Sequence, residues 1–73
     1  MERIKNKTQA KKLFDAGVEV YAMPCKLNPA SPWNTPMLIR NDISTWDNQL
    51  ATIEYYNCNA ETGRYLAFYR RAM

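Results

Sequence analysis

Glu54-Tyr55-Tyr56-Asn57-Cys58-Asn59-Ala60-Glu61-Thr62-Gly63-Arg64-Tyr65-Leu66-Ala67-Phe68-Tyr69 is the stretch on which the fold reading turns. Two aromatic-rich runs, 54–58 and 64–69, flank a polar segment that ends in glycine. Aromatic side chains favour strands and a Gly-ended turn joins them, so the stretch predicts a β-hairpin. A loop of five residues, Asn59 to Gly63, sets Cys58 opposite Arg64 and Tyr56 opposite Leu66. Side chains alternate with period two, so this register turns Tyr56, Leu66 and Phe68 toward the core. It leaves Tyr55, Asn57, Tyr65, Ala67 and Tyr69 together on the other face. A four-residue loop, Ala60 to Gly63, would pair Cys58 with Tyr65 and regroup the set. The five-residue loop is preferred because it gathers three tyrosines into one exposed patch.

Upstream, Ile43, Trp46, Leu50 and Ile53 recur at helical spacing behind the cap candidates of 41–45, which predicts a helix over 44–52. Met37-Leu38-Ile39-Arg40 reads as a short strand, preceded by a loop over 28–36 that holds Pro29, Pro32 and Pro36. Val18 to Met23 reads as another strand, lying at an edge or ending near Pro24, which has no N–H to give to a ladder. Ala10, Leu13, Phe14 and Gly17 mark a first helix over 7–16, with Asn6 as its cap, Gln9 as a partial capping box and Gly17 as its stop. The expectation is therefore one α+β domain over 1–73, ordered αββαββ. A small antiparallel sheet of about four strands carries both helices on one face, and residues 1–6 form a flexible basic segment.

With 73 residues such a domain has a thin core, so self-association is one way to cover the apolar surface that remains. The net charge of +3 is segregated. Residues 1–12 hold Arg3, Lys5, Lys7, Lys11 and Lys12 against Glu2, a net +4, and 64–73 hold Arg64, Arg70 and Arg71, a net +3. The body, 13–63, sets six acids against Lys26 and Arg40, a net −4. Both basic ends suit a polyanion.

The sequence has no histidine, no C-x-x-C, no G-x-S-x-G and no phosphate-cradling glycine loop, so no enzyme, metal or cofactor is expected. Cys25 and Cys58 are expected as free thiols in the core, and the Glu54 carboxylate is expected to reach solvent. No apolar run suits a signal peptide or a membrane span, so the expected location is the cytoplasm of a bacterial host cell. Tyr55, Tyr65 and Tyr69 are the candidate protein interface, joined by Trp33 of the proline loop, which either folds back over the sheet or stands out as an anchor. Arg3, Lys5, Lys7, Lys11, Lys12, Arg64, Arg70 and Arg71 are the nucleic-acid candidates. Lys11 and Asp15 at i, i+4 also fit an ordinary solvated face.

Val20-Tyr21-Ala22-Met23-Pro24-Cys25-Lys26-Leu27, Tyr55-Tyr56-Asn57-Cys58-Asn59 and Glu61-Thr62-Gly63-Arg64-Tyr65, with Trp33 between them, resemble small uncharacterised proteins of phages and prophages of Gram-positive bacteria. The likeness runs from about Lys11 onward. It implies a small accessory protein of a mobile element and carries no functional residues with it. The expected function is non-enzymatic protein binding, with a homodimer within its scope. The alternative is nucleic-acid binding through the first helix and the C-terminal arginines.

Overall fold

Local rules govern the first helix. The computed structural model describes residues 1–72 and contains β1 (Glu2–Ile4), α1 (Lys7–Asp15), β2 (Val20–Pro24), β3 (Met37–Ile39), α2 (Trp46–Asn57) and β4 (Leu66–Arg70). Asn6 caps α1, its Oδ1 accepting from the Gln9 N–H at 2.8 Å. At the other end the Val18 N–H reaches the Leu13 carbonyl and the Gly17 N–H that of Phe14, a Schellman closure. Gly17 provides the positive φ of 86° that this closure needs.

The α+β class is as expected, with two helices and a four-stranded antiparallel sheet ordered β1-β4-β2-β3. Two of its parts come from unexpected places. The run 54–58, read as a strand, is instead the last turn of α2, which starts at the Thr45 cap and continues to Asn57. Asn57 Nδ2 donates back to the Ile53 carbonyl at 3.1 Å and the Cys58 N–H closes on that of Glu54. Burying Ile53 together with Trp46 and Leu50 holds this turn helical, and that packing outweighs the weak strand preference of Tyr55-Tyr56. The missing strand comes from 1–6, where β1 replaces the expected flexible segment and pairs Glu2, Arg3 and Ile4 with Arg70, Tyr69 and Phe68.

The turn expected within 59–63 is present, but it joins α2 to β4. Asn59 bridges Gly63, and Asn59 Oδ1 accepts from the N–H groups of Glu61 and Thr62. β4 pairs with β2, setting Tyr21 beside Tyr69, Ala22 beside Phe68 and Met23 beside Ala67. β2 is therefore a central strand and not an edge, and Pro24 is tolerated because it is the last residue of the strand.

Both helices pack on one face of the sheet. Trp46 anchors that core with its ring centroid 5.0 Å from Phe14 and 5.7 Å from Phe68, among Val20, Ala22, Leu50 and Ile53. Alternation sends Tyr21, Met23, Ala67 and Tyr69 to the opposite face, where Cys25 and Leu27 of the following loop pack against them.

Candidate contact surface

The C-terminal turn of α2 organises the exposed aromatic surface. Seven residues separate Trp46 from Ile53, two turns of helix, so both lie on the buried side, whereas Tyr55 and Tyr56 leave on the outside. Their rings meet edge to face with centroids 4.9 Å apart. On one side of them Asn57 touches the Met37 sulfur and lines a depression with Trp33, Met37 and Leu27. On the other side Glu54 lines a depression with Tyr65, Leu66, Arg3 and Lys7. Trp33, Tyr55, Tyr56 and Tyr65 thus form an aromatic rim around this end of the molecule, with exposures of 91, 79, 76 and 75%.

Two candidates change places here. Tyr69, expected on an exposed tyrosine patch, is only 4% exposed and belongs to the helix-free core beside Tyr21. The patch of Tyr55, Tyr65 and Tyr69 therefore does not exist, because Tyr55 leaves from a helix and Tyr69 from a central strand. Trp33 is displayed and not folded back. Tyr56 was missed as a rim member, and Met37 as a lining residue of the depression beside Trp33. The signal available for Tyr56 was the apolar period of Trp46, Leu50 and Ile53, which, extended by one turn, puts Tyr55 and Tyr56 outside.

The polar groups near the rim are ordered by backbone contacts. The Cys25 N–H donates to the Tyr65 carbonyl and the Lys26 N–H to that of Thr62, both at 2.9 Å, which ties the loop after β2 to the turn before β4. A Cβ at Gly63, where φ is 98°, would fall 2.3 Å from Cys25 Sγ, so only glycine lets the two segments approach this closely. Cys25 and Cys58 are half-buried free thiols. Burial first, then the negative charges of Glu54 and of an ionised Cys25, push the Cys58 thiol above its usual range. Glu54 itself is exposed, as expected.

The basic candidates fall in three places. Pairing of β1 with β4 brings Arg3 and Arg70 onto neighbouring strands, with Arg71 just past the end of β4 and Lys5 and Lys7 following β1 on the chain. Arg71 is engaged, its Nε donating to the Tyr21 hydroxyl at 3.0 Å while that hydroxyl donates to Glu19. Lys11 pairs with Asp15 on α1, and Lys12 lies on the same helix. Arg64 stands beside the turn before β4, next to Tyr65. Among the described residues there is no cluster of three potential metal ligands and no helix long and apolar enough to cross a membrane. No family model, curated protein or solved structure matches this chain.

Proposed function

We propose that this chain is a non-enzymatic accessory protein of a phage or prophage that works by protein–protein contact in the host cytoplasm, with the aromatic rim as its contact surface. The observation that carries this reading is the gathering of Trp33, Tyr55, Tyr56 and Tyr65, all largely exposed, around the last turn of α2. Tyrosine and tryptophan are the residues that most often anchor interfaces, because their rings bury large area and their polar tips still find partners. The phage setting rests on the resemblance of 20–27, 55–65 and Trp33, and the non-enzymatic reading rests on the chain's composition.

The occupant of the rim is a second copy of the chain. Aromatic rings offer about 150–250 Å² each, so four of them together approach the roughly 800 Å² per partner that a stable interface buries. Sedimentation equilibrium tests this directly. The native chain is expected as a dimer and the Tyr55→Ser/Tyr56→Ser variant as a monomer with an unchanged circular dichroism spectrum. A native chain that stays monomeric at high concentration would overturn the reading.

A further inference from the structure

We propose that the β1 edge of the sheet, through Arg3, Lys5, Lys7 and Arg71, binds the phosphodiester backbone of duplex nucleic acid without reading its sequence. The two basic ends of the chain are far apart in sequence, and β1–β4 pairing is what joins them. Arg3 is in register with Tyr69 and shares its face, and Arg71, the residue just past the end of β4, is held to that face by the Tyr21 hydroxyl. Lys5 follows Arg3 by two residues, just past the end of β1, and two residues of extended chain span about 6.8 Å, close to the spacing of adjacent phosphates along one nucleic-acid strand. Lys7 and Arg3 line the same depression on the other flank of the edge.

The charge of Arg3, Lys5 and Lys7 is available for a partner, whereas Arg71 presents to it only the part of its guanidinium that the Tyr21 hydroxyl does not hold. Among the described residues Arg3, Lys5 and Lys7 form no ion pair, and the two ion pairs, Lys11–Asp15 and Arg40–Asp42, lie elsewhere. Glu2 faces Arg70 across the ladder and Glu54 lies in the depression with Arg3 and Lys7, which leaves the edge positive overall. The acidic body of the chain, net −4, then directs a polyanion to this edge and away from the rest of the surface.

Duplex is favoured over single strands because single-strand sites need a row of open aromatic rings on which bases stack. The rings of the sheet face beside this edge, Tyr69 and Tyr21, are closed in the core. Tyr65 is the open ring nearby, and one ring is not a platform.

Fluorescence anisotropy with a labelled duplex, and with the same strand unpaired, tests the proposal across a salt series. Four phosphate contacts give a log–log slope of roughly −3.6, so a fourfold rise in salt weakens binding on the order of 100-fold. Lys5→Gln/Lys7→Gln flattens the slope by roughly 2, whereas Lys26→Gln, remote from the edge, and the rim variant Tyr55→Ser/Tyr56→Ser leave it unchanged. Failure of the rim to dimerise therefore leaves this result standing, and the reverse also holds. Absence of duplex binding at low salt would overturn the proposal, even with binding to anionic vesicles. So would tighter binding to the single strand, or an equal loss with Lys26→Gln.

Discussion

The five tyrosines divide into two groups that the same side chain serves in opposite ways. Tyr21 and Tyr69 are paired in register on adjacent central strands, 7 and 4% exposed, with the Tyr21 hydroxyl held between Glu19 and Arg71. Tyr55, Tyr56 and Tyr65 stand on the surface, at the end of a helix and beside a turn. The first group closes a sheet face that has no helix over it, and the second closes nothing within the chain. The element that presents a ring, more than the ring's chemistry, decides whether it holds the fold or is left on the surface.

The largest effect that would break this contrast is on stability. Tyr69→Ala should lower the unfolding free energy by about 3 kcal/mol, in line with large-to-small changes in cores. Tyr55→Ala should change it by about 0.5 kcal/mol or less at protein concentrations too low for association. Urea unfolding measures both, and similar costs for the two would erase the distinction.

The glycines offer a smaller, sharper comparison between the same regions. Gly63→Ala combines a strained φ with a collision at the Cys25 sulfur and should cost about 2 kcal/mol, where Gly17→Ala, with open space around it, should cost about 1 kcal/mol. Equal costs would mean that the loop after β2 yields without resistance. Asn6→Ala and Thr45→Ala should each cost about 1 kcal/mol by thermal unfolding, since each cap side chain accepts one N–H of its helix.

These effects also mark what the sequence made legible. Caps, stops and helical spacing are local, and Asn6, Gly17 and the Trp46–Leu50–Ile53 period located both helices, while the apolar runs at 18–23, 37–40 and 64–69 located three of the four strands. The turn at 59–63 was readable too, because Asn59 and Gly63 act within it. The state of Glu54 to Cys58 was not local. Strand preference is decided by neighbours, and these residues have a buried Ile53 behind them and no strand beside them. β1 is three residues long and exists through its pairing with β4, which no short-range pattern announces. The tyrosine patch failed for a related reason: alternation put Tyr69 on the correct, helix-free face, but that face is closed by Tyr21, Met23, Cys25 and Leu27, contacts between distant segments that a register argument does not supply.

The smallest effect concerns the thiol next to the rim. Burial beside Glu54 raises the Cys58 pKa in the folded chain above its ordinary value of 9.0. The folded chain therefore holds the Cys58 proton more tightly than the unfolded one. The associated stability is full below the ordinary value and is lost as pH rises through the raised one. Alkylation should accordingly modify Cys58 more slowly than an unstructured thiol at the same alkaline pH, and unfolding should abolish the difference. A Cys58 that reacts as fast folded as unfolded would remove this burial.

The central claim, that the rim and not the sheet is the surface covered by a second copy, is most directly tested by the two tryptophan indole N–H resonances on dilution from millimolar to micromolar chain. Trp33 lies on the rim and Trp46 in the core, 91 and 5% exposed. The account predicts that the Trp33 signal shifts with dilution and returns to its dilute position in Tyr55→Ser/Tyr56→Ser at every concentration, while Trp46 stays fixed. A dilution shift confined to β1 or β3, with Trp33 unmoved, would contradict it.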